Sequence, residues 1–270
     1  TGKMYEFGPA IKSLRNAKRM RTFIVNLKHS LERRAKMECQ LSELNIAYEF
    51  IEAVDGRKMT ETELRNVTRE TNYAFLPGEV GCALSHQKIY KRIIDENIDA
   101  ALILEDDVVL NSDLREILNS VTLSKTKPEI LLLSRVNKYY KKPFKHIFGS
   151  YNIHKTQHAT TTHAYIINQK AARSLLDNLY PVWMVADKWS LFEDLSLAKI
   201  HSIVPYPVRL SEEANVSTIN ESKGDAMLDA KKKKIWNLLM RERPLAAKLR
   251  HRYRRAITPL LNQIIDQGKG

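Results

Sequence analysis

The stretch ALILEDDVVL, residues 101–110, places three consecutive acids directly after a run of four apolar residues. An apolar run of that length is typical of a strand that is buried on both faces of a parallel sheet. Three neighbouring carboxylates repel one another and resist desolvation, so the fold must either hydrate or neutralise Glu105, Asp106 and Asp107. The stretch therefore predicts an inner strand that ends in concentrated negative charge.

The segments before this stretch predict an α/β fold. RTFIVNL (21–27) is strand-like, a helical pattern of Met37, Leu41 and Leu44 follows, and AYEFIEAV (47–54) is a second strand. A strand, a helix and a strand within about 35 residues form a βαβ unit with a right-handed crossover. We therefore predict a mostly parallel central sheet. The acids would then lie at the carboxyl edge of an inner strand, where open α/β sheets bind ligands.

The rest of the chain continues this pattern and then changes character. Helices are predicted over 76–97, from Ser112 onward and over 169–180, strands over 128–134 and 164–168, and an exposed loop or hairpin over 135–158. HSIVPYPVRL (201–210) contains two prolines, which favour an edge strand. We interpret 1–19 as an expression leader or a loose arm, 20–220 as one α/β domain and 221–270 as a basic helical tail.

The acids themselves suggest a cation site. Adjacent carboxylates at a sheet edge suit a hard divalent cation, which would neutralise them and hold a diphosphate against the protein. Strand alternation directs Glu105 and Asp107 to one side and Asp106 to the other. An isolated Asp pair more often merely ends a strand, and that alternative stays open at this point.

The charge balance points to an anionic partner. Lys and Arg total 44 against 31 for Asp and Glu, which gives a formal charge of +13. Residues 231–255 hold 11 of these cations and a single acid, Glu242. Apolar residues are mixed with them: Ile235, Trp236, Leu238, Leu239 and Met240. This mixture predicts an interfacial helix on an anionic membrane, interrupted at Pro244, with a solvated charged helix as the alternative.

Two other observations bear on the protein class. Only Cys39 and Cys82 are present, so we expect free thiols in a reducing cytosol, with the sequons at 66–68 and 215–217 unused. No apolar run reaches membrane-spanning length and no signal-peptide pattern is seen, so we expect a cytoplasmic protein, which the basic residues 231–255 would hold on the inner face of a membrane. A non-enzymatic nucleic-acid-binding protein is the alternative class, although no helix-turn-helix, zinc-finger or RNP pattern supports it.

Six blocks of the sequence carry a resemblance to a known family. In chain order they are FIVNLKHSLERR (23–34), EAVDG (52–56), GEVGCALSHQKIY (78–90), LILEDDV (102–108), HAYIINQKAARSLL (163–176) and ADKWSLF (186–192). Together they resemble the bacterial lipooligosaccharide galactosyltransferases of glycosyltransferase family 25, a family that includes the catalytic domain of collagen galactosyltransferases. The resemblance covers residues 22–220. It implies a GT-A-like Rossmann-type domain that uses UDP-galactose with Mn²⁺ or Mg²⁺ and inverts the anomeric centre.

The resemblance also implies roles for particular residues. Asp107 would ligate the metal, Glu105 would contact it directly or through water or contact the ribose, and Asp106 would support them. The residues implied at the nucleotide sugar are Asn26, Leu27, Arg33, Arg34, Ala53, Val54, Asp55, Gly81, Ser85, His86, Glu105, Asp106 and Thr162, with His163 beside them. Purely structural roles stay open as alternatives. The arginines could lie in a solvated helical turn, Asp55 could belong to a simple Asp-Gly turn, and His86 could be a core histidine.

Inverting transfer also needs a base that takes the proton of the acceptor hydroxyl. Asp187 is the first candidate, with Glu193 and Asp194 as runners-up and a helix-capping role as the alternative for Asp187. The expected acceptor is a terminal glucose or GlcNAc of a lipid-anchored, phosphorylated oligosaccharide. UDP-glucose is the rival donor, because the two sugars differ in the orientation of one hydroxyl.

Overall fold

The computed structural model describes residues 20–212 and 226–268. The predicted arm at 1–19 and the predicted domain boundary near 220 lie outside these residues. The strands are β1 (Arg21–Asn26), β2 (Glu49–Glu52), β3 (Ala100–Glu105), β4 (Val108–Leu110), β5 (Glu129–Leu132), β6 (Lys138–Tyr140), β7 (Lys145–Phe148), β8 (Tyr151–His158), β9 (Ala164–Asn168), β10 (Lys199–Val204), β11 (Val208–Leu210) and β12 (Ile264–Asp266).

The helices predicted in the first 200 residues are confirmed, and the structure adds a short helix at 61–67 that was not predicted. They are α1 (Leu31–Glu43), α2 (Glu61–Val67), α3 (Pro77–Asp95), α4 (Leu114–Ser120), α5 (Gln169–Leu179), α6 (Trp189–Asp194), α7 (Ala226–Glu242), α8 (Leu245–Arg252) and α9 (Thr258–Leu261). A 3-10 turn covers Gly56–Lys58, and a π-helical segment covers Tyr253–Ile257. None of the described helices is long and apolar enough to span a bilayer.

One large sheet forms the centre of the molecule, in the order β12-β6-β8-β10-β5-β9-β3-β1-β2, and β7 pairs with β8. The predicted βαβ unit is confirmed, because β1 pairs in parallel with β2 and also with β3. The sheet as a whole is mixed, since β9 is inserted antiparallel between β3 and β5. The predicted parallel arrangement therefore holds for β1, β2 and β3, and the acids lie at the carboxyl end of β3.

The prediction that residues 201–210 form an edge strand is wrong. Its first part belongs to β10, which lies inside the sheet between β5 and β8. Pro205 and Pro207 lie outside both strands, in the turn that leads to β11, which pairs with β4 in a separate two-stranded sheet. Neither proline therefore removes a hydrogen bond from β10, and its central position is allowed.

Helices cover both faces of the sheet. Phe23 and Ile24 are adjacent on β1, and their fully buried side chains belong to two different apolar clusters. The Phe23 cluster includes side chains of α3, α5 and α6, and the Ile24 cluster includes side chains of α1 and α4. This alternation explains why β1 and β3 are almost wholly apolar, since each face of these strands meets a layer of helices.

The C-terminal residues pack on the domain. Trp236, Leu239 and Met240 of α7, which the sequence assigns to a membrane, lie against the Phe23 cluster. The end of the chain returns to the sheet, where β12 pairs antiparallel with β6. The predicted interruption at Pro244 is present, because α7 ends at Glu242 and α8 begins at Leu245. Residues 226–268 thus complete the fold of the domain.

Candidate active site

A cleft of about 670 Å³ lies at the carboxyl ends of β1 and β3, where the sequence predicts ligand binding. Parallel pairing brings these ends together, since Val25 is level with Glu105. The predicted site residues that line the cleft are Leu27, Arg33, Ala53, Val54, Asp55, Ser85, His86, Glu105, Asp106, Asp107, Thr162, His163 and Asp187. Residues far apart in the chain therefore converge on one cavity.

Glu105 is the last residue of β3 and is held by donors on two neighbouring elements. Thr162 donates a hydrogen bond to Glu105 Oε1 at 2.5 Å, and His86 Nε2 lies 3.6 Å from the same oxygen. His163 Nε2 lies 4.0 Å from Glu105 Oε2. Burial alone raises the pKa of Glu105, but His86, His163 and Thr162 outweigh it and hold that pKa at about 2. Glu105 is therefore an ionised, fixed acceptor.

Asp106 is occupied by contacts within the protein. Asn26 Nδ2 donates to Asp106 Oδ2 at 2.7 Å, and Arg33 donates to Asp106 Oδ1 at 3.2 Å. Asn26 is buried and also bonds the carbonyl oxygen of Ser30 at 3.2 Å, so it joins β1 to the start of α1. Asn26 and Arg33, which were both predicted to contact the nucleotide, therefore bind Asp106, and of the two only Arg33 lines the cleft.

Asp107 has the environment of a metal ligand. Its Oδ1 is buried and has no hydrogen-bond partner among residues 20–212 and 226–268, while Oδ2 lies 3.7 Å from Arg33. Burial, with the charge of Glu105, raises the pKa of Asp107 to about 6. A buried carboxylate oxygen without a donor is costly unless a cation neutralises it. The oxygen ligands of Asp107 and Glu105 therefore suit Mn²⁺ or Mg²⁺.

Two glycines let α3 approach the loop after β2. A Cβ at Gly81 would lie 2.4 Å from the carbonyl oxygen of Val54 and 2.6 Å from the nitrogen of Gly56. This close approach allows Ser85 Oγ to accept a hydrogen bond from the backbone nitrogen of Val54 at 2.8 Å. Gly81 itself does not line the cleft, but it sets the position of the Val54–Asp55 wall. Asp55 caps the 3-10 turn by accepting from the nitrogen of Arg57.

His86 forms the buried floor of the cleft. Its side chain is 1% exposed, and its Nδ1 is 2.7 Å from the hydroxyl of Tyr165, which is in turn 2.9 Å from the hydroxyl of Tyr90. Nε2 is buried without a hydrogen-bond partner among the described residues and faces Glu105. One ligand atom each of Cys82, His86 and Glu105 lie within 4.8 Å of one another. Burial and nearby acids raise the pKa of the Cys82 thiol, which keeps it protonated.

Asp187 lies in the cleft and does not cap a helix. The N-cap of α6 is Lys188, and no side-chain cap hydrogen bond is present there, so the capping alternative is wrong. Asp187 Oδ1 is buried without a hydrogen-bond partner in the described parts of the chain, although Lys188 Nζ is 3.4 Å away. Burial raises the pKa of Asp187. A carboxylate in a cleft that has a raised pKa and an oxygen without a hydrogen-bond partner is suited to accept a proton.

Five predicted residues do not line the cleft, namely Asn26 and Gly81, described above, and Arg34, Glu193 and Asp194. Arg34 bonds Glu38 at 3.1 Å, and its guanidinium stacks over Phe50 with 4.1 Å to the ring centroid. Glu193 and Asp194 do not line the cleft, and Asp194 is instead buried against Arg254 at 2.8 Å. They do not share a cavity with the residues predicted to contact the nucleotide, and of the three candidate bases only Asp187 lines the cleft.

Several cleft residues are missing from the sequence prediction. They are Arg57, Tyr73, Glu79, Cys82, Lys188 and Lys232. Cys82 precedes His86 by four residues on α3, so helical spacing was a usable signal for it. Lys232 comes from α7, pairs with Glu79 and lies over the ring of Tyr73. No local pattern connects Lys232 with Glu79, which lies 153 residues earlier, because the connection depends on tertiary packing.

Comparison with known proteins identifies the family of this chain. The sequence profile described as "Glycosyltransferase family 25 (LPS biosynthesis protein)" matches residues 20–189, which include the acids of β3, the His86 helix and Asp187. The chain belongs to glycosyltransferase family 25. The resemblance that the six sequence blocks suggested is therefore confirmed at the level of the family.

Similar proteins within this glycosyltransferase family come from animals. Procollagen galactosyltransferase 1-B of Xenopus laevis is 30% identical over 172 residues, covering 57% of this chain and 28% of its own length. Procollagen galactosyltransferase 2 of Homo sapiens is 28% identical over 167 residues, covering 57% of this chain and 27% of its own length. The chain thus spans less than a third of the length of these relatives.

A solved structure also shows some likeness. It is a glycosyltransferase involved in the glycosylation of the major capsid of PBCV-1, with a TM-score of 0.32 and 13% identity over 57% of this chain and 61% of that chain. That likeness is too low to add to what the family match shows.

Proposed function

We propose that this family 25 glycosyltransferase transfers galactose from UDP-galactose to a sugar hydroxyl of lipooligosaccharide, with inversion. The observation that carries the proposal is that Glu105 and Asp107 line one cleft in which the buried Oδ1 of Asp107 has no donor among the described residues. Family membership implies a nucleotide-sugar donor, and the names of the animal relatives support galactose. The family description, which refers to LPS biosynthesis, supports a bacterial glycolipid acceptor.

The chemistry follows from the positions of the side chains. Asp187 accepts the proton of the acceptor hydroxyl, whose oxygen forms a bond to the anomeric carbon as the bond to UDP breaks. UDP leaves with the electron pair of that bond, and a single displacement of this kind inverts the anomeric centre. Arg33, at the edge of the cleft, is placed to donate to a phosphate oxygen. A divalent cation held by Asp107 and Glu105 would neutralise charge on the diphosphate.

The test of this function is a panel of nucleotide sugars. Release of UDP is measured with UDP-galactose and UDP-glucose, with and without Mn²⁺, and with lactose- or GlcNAc-terminated acceptors. We expect acceptor-dependent release from UDP-galactose that needs the metal, and an inverted linkage by NMR of the product. Faster release from UDP-glucose would assign the chain to the rival donor. Turnover that is equal with and without metal would contradict the role of Asp107.

We also propose that the enzyme works at the cytoplasmic face of the inner membrane. The support is a row of exposed apolar residues four positions apart, Leu245, Leu249, Tyr253 and Ile257, called here the C-terminal stripe. Residues four apart lie on one side of a helix. Lys248 and Arg252 border the stripe, which is the composition of an interfacial helix on anionic lipid. The stripe replaces the membrane face predicted around Trp236, since that residue packs against the domain.

A further inference from the structure

A second cavity, of about 650 Å³, adjoins the cleft. Lys188 lines both cavities, and Asp187 beside it lines the cleft. The aromatic rings of Tyr73 in the cleft and Trp236 in the second cavity pack edge to face with centroids 5.3 Å apart. The second cavity therefore adjoins the cleft at Lys188, the neighbour of the candidate base, and C-terminal residues form much of its lining.

The lining of the second cavity is strongly cationic. Its permanent cations are Lys138, Lys188, Arg243, Arg254 and Arg255, and its carboxylates are Asp194 and Asp266. Asp194 is paired with Arg254 at 2.8 Å, and Asp266 with Lys138 at 2.6 Å. Lys188 pairs with Asp187 of the cleft at 3.4 Å, and Arg243 lies 3.8 Å from Asp194, but the five cations of the lining still exceed its two carboxylates. The same excess acts on His158, whose pKa is lowered by burial and then by Arg254, Lys188 and other cations.

Arg255 is the cation best placed to meet a ligand. It is exposed at the cavity, and no ion pair or hydrogen bond of its side chain is found among residues 20–212 and 226–268. An arginine fork without a partner can bind a phosphate or carboxylate with two parallel hydrogen bonds. The other walls supply apolar surface from Trp236, Leu191 and Met240, against which a sugar ring can pack.

We infer that the second cavity binds the acceptor saccharide and recognises an anionic substituent on it, a phosphate or a carboxylate. This inference rests on the proposed transferase function, because it takes the cleft as the donor site and Asp187 as the base. The shared wall at Lys188 allows one saccharide to place its anion near Arg255 and a hydroxyl near Asp187. Arg243, Arg254 and Arg255 of the C-terminal residues then act in selecting the acceptor.

The test measures binding to the cavity separately from turnover. Titration calorimetry on the full chain compares three probes, glucose 6-phosphate, glucuronate and neutral methyl glucoside, with UDP and Mn²⁺ present and again without them. Arg255→Glu is compared with Arg252→Glu, which makes the same change of charge at an exposed arginine outside the cavity. We expect the anionic probes to bind at least tenfold more tightly than methyl glucoside, and Arg255→Glu alone to remove that preference.

Each outcome has a distinct meaning. Tighter binding of glucose 6-phosphate indicates phosphate, and tighter binding of glucuronate indicates carboxylate; both support the inference. Equal binding of all three probes, no binding of the anionic probes, or equal losses in the two variants would overturn it. A failure of the proposed function appears elsewhere, as absence of UDP binding to the wild-type chain, and the titrations without UDP still report on the cavity in that case.

Discussion

Glu105, Asp106 and Asp107 are consecutive, yet their partners differ, apart from Arg33, which lies near both Asp106 and Asp107, because the chain turns between β3 and β4. Glu105 is surrounded by His86, His163 and Thr162, and Asp106 by Asn26 and Arg33. Asp107 retains a buried oxygen without a donor in the described parts of the chain. Burial and the charge of Glu105 both disfavour the ionised form of Asp107. The three acids therefore have separate roles, in which only Asp107 gains strongly from a cation.

Because of this difference, we expect one substitution at Asp107 to affect thermal stability differently without metal and with metal. Asp107→Asn removes a buried charge that Glu105 repels, so we expect the metal-free protein to be at least as stable as the wild type. The same variant should lose the extra thermal stabilisation that Mn²⁺ gives in the presence of UDP. Differential scanning calorimetry measures both effects. Asp95→Asn, at an exposed pair with Lys91, is the control, and an unchanged response of Asp107→Asn to Mn²⁺ would remove this residue from the metal site.

Asp187 permits a separate prediction about proton transfer. Asp187→Asn keeps the size of the side chain and removes its basicity, so transfer should fall by about 10²–10⁴ while UDP binding stays within about twofold. Single-turnover kinetics and UDP titration separate the two effects. Asp177→Asn, on the exposed side of α5, is the matched control. Near-normal turnover of Asp187→Asn would assign the base elsewhere.

At the level of elements, the contact of α3 with the loop after β2 sets one wall of the cleft. Gly81→Ala places a methyl group against two backbone atoms of that loop, which costs about 1–3 kcal/mol. The better helix propensity of alanine offsets about 1 kcal/mol of that cost. We expect a net loss of stability and a severalfold weaker affinity for UDP, because Val54 and Asp55 are displaced together.

The control for this prediction is Gly149→Ala. Gly149 has a φ of +51°, and no atom lies within 4 Å of the point that a Cβ would occupy there. Its replacement therefore strains the backbone by about 1–2 kcal/mol without touching the cleft. Chemical denaturation and UDP titration are run on both variants. Similar stability losses with a fall in UDP affinity for Gly81→Ala alone are expected, and equal UDP affinities would show that the wall tolerates the shift.

Local patterns were sufficient to predict most of the elements around the site. The apolar run before Glu105 predicted β3, and helical spacing predicted α1 and α3, because each pattern reflects which side of that element is buried. The same patterns do not encode which strands become neighbours. Pro205 and Pro207 suggested an edge strand, and the structure instead places β10 inside the sheet. Pairing order depends on tertiary contacts, and so the mixed character of the sheet could not be predicted.

For the whole molecule, the main difference between prediction and structure concerns the C-terminal residues. Their composition predicts a basic tail, but the exposed or buried state of each cation depends on a partner that is distant in sequence. Asp194 is 3% exposed and is surrounded by Arg243, His251 and Arg254. A sequence pattern that records only charge density cannot separate these inward-facing cations from those that face solvent.

This packing makes the C-terminal residues part of the stability of the domain. Arg254→Met leaves Asp194 as a buried carboxylate with only His251 and Arg243 beside it, and we expect a loss of about 3 kcal/mol in the free energy of unfolding. Adding Asp194→Asn should recover more than half of that loss, because the unpaired charge is removed. Denaturant unfolding of the two single variants and the double variant completes the cycle. Arg252→Met, at an exposed position, is the control.

The exposed surface of the C-terminal residues leads to a prediction about membrane binding. Leu249 lies within the C-terminal stripe and is 55% exposed, so Leu249→Glu adds a negative charge where an interfacial helix would enter the headgroup region. We expect about tenfold weaker binding to vesicles that contain anionic lipid, measured by co-sedimentation. Leu31→Glu is the matched control, since Leu31 is 69% exposed on α1 and lies outside the stripe. Binding of the wild type should weaken with salt and be absent on neutral vesicles, because exposed cations contribute part of the attraction. Equal binding of the two variants would exclude the stripe as the membrane contact, and the acceptor would then have to be recruited by the two cavities alone.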